Sequence, residues 1–155
     1  MLNYFSNISG SKIIAGQHNR EPNSDPSKWT RTARDITGLY PGLWGGDFLF
    51  LPDDVSHRQT MINEAIKEWN AGSVVALTWH VCPPNVGETC NWDSNGVLSQ
   101  LSNDQWNSLI QDGGDLNKKW KSRLDTVVPY FQQLKDAGVV AIWRPLHEMN
   151  EGKLI

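Results

Sequence analysis

The chain has 155 residues, the size of one domain or of part of a larger one. Hydrophobic residues make up 39% and charged residues 20%, ordinary values for a globular protein in water. The formal net charge is −3 with no Lys/Arg cluster, which speaks against nucleic acid or an anionic membrane as partner, and no apolar run is long enough to span a bilayer.

The start, MLNYFSNISGSKIIAG, lacks the basic opening and apolar core of a secretory leader, so no signal peptide is expected in this chain. Residues 12–17, KIIAGQ, predict a short strand that hands over to His18. Residues 19–30 are rich in turn formers and read as loop, and residues 31–38 as a short helix. YPGLWGGDFLF, residues 40–50, reads as an extended segment broken by glycines and reaching polar Asp47. From Ser56, a plausible N-cap, Met61, Ile62, Ala65, Ile66 and Trp69 recur at helical spacing until Gly72. SVVALTWH, residues 73–80, is an apolar strand ending in Trp79 and His80. A long loop covers residues 81–103, and a helix opens at Ser102 or Asn103. The helical pattern then continues through Leu116, Trp120, Leu124, Val127, Phe131 and Leu134 to Gly138, with Pro129 expected to kink or split it. VVAIWRPLHE is a fourth strand.

The succession alternates strand and helix, and the last two strands are apolar nearly throughout. That pattern belongs to parallel strands covered on both faces, an α/β fold of βα repeats. Such folds place their sites at the carboxyl ends of strands, and here those ends carry His18, Asp47, Trp79, His80, His147 and Glu148. An isolated Glu at a strand end is usually a solvated or paired carboxylate. With His147 beside it, His80 ending the neighbouring strand and Trp79 and Trp143 near, Glu148 becomes a candidate general acid. Partial desolvation by aromatics is expected to raise its pKa. Strand alternation gives Arg144 and Glu148 one parity and Trp143 and His147 the other.

The 8 Trp suit a sugar ligand, since indole stacks on the C–H face of a pyranose while carboxylates, amides and imidazoles bond its hydroxyls. Spacing assigns Trp69, Trp106 and Trp120 to helix packing and leaves Trp44, Trp79, Trp92 and Trp143 as candidates near the strand ends. Cys82 and Cys90 close a short loop with two prolines and a glycine. Their spacing matches no zinc pattern, and no metal or cofactor is expected. Two free thiols and a local disulfide both fit; the disulfide implies an oxidising compartment.

WRPLHEMN, residues 143–150, resembles the acid/base motif of glycoside hydrolase family 26, best known for endo-β-1,4-mannanases. IIAGQH, YPGLWGGD, VVALTWHVCPP, ETCNWD and RLDTVVPYFQQLKDAGV resemble the corresponding segments in order, so nearly the whole chain is covered. The resemblance implies a (β/α)8 TIM barrel, of which residues 1–155 form about the first four βα units, and a retaining double displacement. It implies Glu148 as acid/base, His147 and His80 shaping the sugar site, and Trp79, Arg144 and Asn150 supporting substrate or catalytic carboxylates. Asp47 and His18 are fainter matches. It implies β-mannan or manno-oligosaccharides as substrate, and secretion.

A barrel of this type takes about 250 residues. The family's nucleophilic Glu lies on strand 7, and no residue here matches it. The stretch after HEMN also departs from the family: Lys153 stands where an aromatic is expected. The chain alone is therefore expected to be inactive or weak, with edge strands open to self-association. Two other readings are a non-catalytic carbohydrate-binding half-barrel and a bare assembly scaffold. Within the enzyme class, xylan and mixed-linkage glucan are alternative substrates.

Overall fold

The structure, a computed structural model, describes residues 1–148. Four strands form one parallel sheet in the order of the sequence: β1 (Gly16–Asn19), β2 (Leu43–Asp47), β3 (Val74–Trp79) and β4 (Ala141–Pro145). Gly16 pairs with Leu43, Leu43 with Val74 and Val75 with Ala141. Consecutive parallel neighbours require a crossover each time. Helix α2 (Lys28–Thr37) makes the first, and α3 (Pro52–Ser56) with α4 (Arg58–Asn70) the second. The third comprises α5 (Asn103–Ile110), α6 (Asp115–Asp125) and α7 (Val128–Asp136). A further helix, α1 (Leu2–Ile8), precedes β1 and buries no residue.

The punctuation explains most boundaries. Ser102 and Gln105 form a reciprocal capping box at the start of α5. Pro129 lies in the first turn of α7, where its missing N–H costs nothing, and the helical pattern is split there into α6 and α7, as its position predicts. Gly72 and Gly138 follow α4 and α7 at φ +98° and +72°, a region that favours glycine. Ser56 is not the expected cap. Pro52 starts a separate turn, α3, that runs to Ser56, whose hydroxyl donates to the Asp53 carbonyl at 2.9 Å.

The two faces of the sheet differ. Trp44, Val75, Leu77 and Trp79 pack with Met61, Ile62 and Ala65 of α4 and Leu134 of α7 into a dry core. The other face presents Leu43, Gly45, Ala76, Thr78, Ile142 and Arg144 to a cavity. The helix-covered face carries the stability: each fully buried large side chain contributes on the order of 1.5–3 kcal/mol.

Candidate active site

The cavity is about 850 Å3 and lies over the carboxyl ends of the strands. Asp47, the last residue of β2, is fully buried. Its Oδ1 accepts from the backbone N–H of Leu49 at 3.0 Å and of His80 at 3.1 Å, and its Oδ2 lies 2.9 Å from His80 Nδ1. The other His80 nitrogen, Nε2, is 3.1 Å from Glu148 Oε2. One imidazole thus stands between two carboxylates from three adjacent strand ends. Burial works against a charge on His80, but hydrogen bonds and attraction from Asp47 and then Glu148 outweigh it and raise its pKa. Burial likewise disfavours charge on Asp47, and the bond to His80 overrides it, holding the carboxyl below its usual range.

Glu148 corrects an expectation. Its pKa is lowered, not raised: the hydrogen bond with His80 is the largest influence, and its side chain remains 42% exposed, so desolvation is small. Strand alternation also ends before it. Leu146 and Glu148 adopt φ of +51° and +67°, a tight turn that aims both His147 and Glu148 into the cavity. Arg144 lines the same cavity from β4.

His147 packs edge-on against His80 with ring centroids 3.9 Å apart. Its Nδ1 is buried and has no hydrogen-bond partner among the described residues. Burial, then the charge of His80, lowers its pKa. His18 also lines the cavity and is lowered mainly by burial. Gly45 makes room for it, since a Cβ there would lie 2.9 Å from His18 Nδ1. Asp47, His80 and His147 each offer one ligating atom within 4.8 Å of the others.

The tryptophans separate by element: Trp44, Trp79 and Trp143 lie on strands, and Trp92 on the loop after β3. Trp79 shares parity with Val75 and Leu77 and is 1% exposed in the core against Phe48, so it does not line the cavity as expected of a substrate contact. Trp44 is fully buried, with its Nε1 donating to Ser27 Oγ at 3.0 Å. Trp143 packs edge-on against Phe131, centroids 4.7 Å apart. Trp92 alone of the four lines the cavity, stacked on Phe50 at 6.1 Å and edge-on to His80 at 5.9 Å. Asn150 lies outside the described residues.

Cys82 and Cys90 are bonded as a disulfide, resolving the alternative left open by the sequence. Cys82 is buried with Leu49 and Phe50. Two residues that the sequence did not single out fasten the same loop. Arg123 of α6 donates to the carbonyls of Cys82, Pro83 and Val86, and buried Arg58 pairs with Glu88 at 2.6 Å. Neither has a local motif; a buried Arg is revealed only by the fold. Phe50, which backs Trp92, is readable as an apolar residue just beyond the end of β2.

Residues 1–154 match the model of Glycosyl hydrolase family 26. The chain is 27% identical over 150 residues to Mannan endo-1,4-beta-mannosidase A and B of Caldalkalibacillus mannanilyticus, covering 93% of this chain and 28% of that protein. Among solved structures, GH26A from Muricauda sp. superposes with a TM-score of 0.86 at 32% identity, covering 96% of this chain and 47% of that one. The beta-mannanase from a symbiotic protist of the termite Reticulitermes speratus, complexed with gluco-manno-oligosaccharide, shares the fold at a TM-score of 0.73 and 24% identity, covering 94% and 47%. The chain therefore spans less than a third of that curated relative and just under half of these solved chains.

Proposed function

The chain belongs to glycosyl hydrolase family 26, and on that premise we propose that residues 1–155 are the acid/base half of a retaining endo-β-1,4-mannanase catalytic domain. The substrate is β-mannan or a manno-oligosaccharide bound across the strand ends, with Trp92 as its apolar wall and Arg144, His147 and His80 reaching its hydroxyls. What supports the reading is Glu148 at the mouth of the cavity, its Oε2 held 3.1 Å from His80. Asp47 fixes the imidazole, and the imidazole orients the carboxyl. In the free protein this bond favours the carboxylate. A sugar covering Glu148 strips its water and disfavours the charge, so the carboxylate takes the Nε2 proton of the His80 imidazolium, 3.1 Å away, and passes it to the glycosidic oxygen as the C–O bond breaks.

Retaining hydrolysis takes a second carboxylate about 5–5.5 Å from the first. Among the described residues the other carboxylate lining the cavity is Glu21, and it pairs with Arg20 at 3.3 Å. Asp47 is buried and already holds His80. We infer that the nucleophile is not among residues 1–148 and that these residues alone turn over mannan weakly or not at all. The disulfide supports secretion as the setting.

Calorimetric titration of the chain with mannohexaose and xylohexaose tests the ligand. A clear preference for the mannan oligomer, reduced in Trp92→Ala, is expected; equal affinities would move the reading to xylan or to a generic carbohydrate-binding role. Any mannan cleavage that is observed should vanish in Glu148→Gln. Cleavage that persists there would remove Glu148 from the acid/base role.

A further inference from the structure

We propose that Arg20, Glu21 and Trp29 form a second sugar position on the β1 side of the cavity, taking a distal pyranose of the same oligosaccharide that lies over Glu148. The inference rests on the mannan reading above. Arg20 and Glu21 follow β1 directly and line the cavity, with Arg20 Nε 3.3 Å from Glu21 Oε2. Trp29 stands beside them: its Nε1 donates to the Glu21 carbonyl at 3.0 Å. A carboxylate, a guanidinium and an indole suit a pyranose, the first two bonding its hydroxyls and the third covering its C–H face.

Trp29 is exposed and yet fixed. It is 40% accessible to solvent, in the first turn of α2 between Ser27 and Thr30, both of which are buried. Ser27 Oγ accepts from Trp44 Nε1 at 3.0 Å and donates to Glu64 Oε1 at 2.7 Å. Thr30 Oγ1 accepts from Asn19 Nδ2 at 2.8 Å, and its backbone N–H donates to Asn19 Oδ1 at 2.9 Å, which ties the turn to the end of β1. With its ring N–H also held by Glu21, the indole keeps its apolar area in water in one orientation. A sugar stacking on it therefore freezes little side-chain motion. Exposed Lys28 places its Nζ 4.8 Å from the ring centroid, a flexible cap that a pyranose displaces. The position is also distal. β1 and β4 stand three strand spacings apart, on the order of 14 Å, so a short oligomer over Glu148 ends before Trp29 and a longer one reaches it.

The test compares oligomer lengths. The native chain, Trp29→Ala and Glu21→Gln are each titrated with mannotriose and with mannohexaose in a calorimeter. The native chain should bind the hexaose more tightly than the triose. Trp29→Ala should lose about five- to tenfold in hexaose affinity and bind the triose as the native chain does. Glu21→Gln should likewise weaken the hexaose alone. 1H–15N spectra of the native chain give a second readout: the Trp29 indole N–H, identified by its loss in Trp29→Phe, should move on saturation with the hexaose and stay with the triose. Undiminished hexaose affinity in either variant, equal losses for both oligomers, or an indole signal unmoved by the hexaose would each overturn this site and leave the mannan reading standing. A native chain that binds neither oligomer would overturn the mannan reading and this site with it.

Discussion

His80 draws its charge from both sides. Asp47 and Glu148 each lie within hydrogen-bond distance of one of its nitrogens, and the two carboxylates are lowered while the imidazole is raised. Removing the imidazole should therefore release Glu148. In His80→Ala the Glu148 carboxyl, followed by 13C NMR against pH, is expected to titrate higher than in the native chain; an unchanged midpoint would mean that His80 does not hold it. Asp54 behaves oppositely. It is buried, its Oδ2 lacks a partner among the described residues, and burial with the nearby charges of Glu21, Asp53 and Asp47 raises its pKa to about 6, against the single bond from the Asn23 N–H. The folded state thus prefers the protonated form. This contribution to stability is full below the ordinary aspartate value of about 4, and is lost as pH rises through about 6. Asp54→Asn keeps an oxygen for Asn23 and supplies a neutral group, so its melting temperature should be flatter between pH 4 and 7 and higher than native above pH 6. The expected gain is on the order of 2 kcal/mol. A pH profile parallel to the native one would exclude Asp54 as the titrating group. Residues of this kind were hidden in the sequence because their state depends on burial alone. That His80, His147 and Glu148 meet at one cavity was legible because polar side chains collect at strand ends. Trp79 misled because its strand parity, shared with Val75 and Leu77, assigns it to the helix-covered face.

At the scale of elements, apolar periodicity located four strands and the main helices, and Gly72 and Gly138 ended α4 and α7 where expected. Two features escaped it. Helix α1 is only seven residues long, too short for its apolar Leu2, Phe5 and Ile8 to announce a helix, and it buries no residue. The division of α3 from α4 follows from Pro52 and the local bonds of Ser56, not from periodicity. The segment joining β3 to α5 is long and lacks regular structure, yet it carries Trp92. Its fixity comes from side chains: the Cys82–Cys90 bond, Arg123 on three carbonyls, and the Arg58–Glu88 pair. Closing so short a loop covalently restrains the unfolded chain by roughly 2–3 kcal/mol, and the two arginines leave part of the native arrangement intact without it. Cys82→Ser with Cys90→Ser is therefore expected to lower unfolding stability in urea by about 2 kcal/mol while retaining a folded chain. Mannohexaose affinity should fall at the same time, because the disulfide packs against Phe50, on which Trp92 stacks. Unchanged affinity alongside lowered stability would show that the arginine clamps suffice to place Trp92.

The whole molecule is a sheet with one face finished and one open. Helices α4 and α7 seal the first around Trp44, Val75, Leu77 and Trp79. The second floors a cavity with Leu43, Ala76 and Ile142, and at its margin β4 has no further strand beside it among the described residues. Ile142 is 37% exposed and Trp143 36%, unusual values for apolar residues in the middle of a parallel strand. An apolar strand with unpaired N–H and C=O groups along one side is a template for another chain. The 155-residue chain is therefore expected to associate in solution, its weight-average mass by sedimentation rising with concentration. Charge placed on that edge opposes pairing without touching the helix-covered core. Ile142→Lys should accordingly move the population toward monomer at equal concentration while leaving the melting temperature within about 2 °C of native, because Ile142 already faces the cavity and not the packed side. If the variant associates as strongly as the native chain, the contact lies elsewhere, and the exposed apolar residues of α1 and α2, Leu2, Tyr4 and Ile36, become the surface to probe.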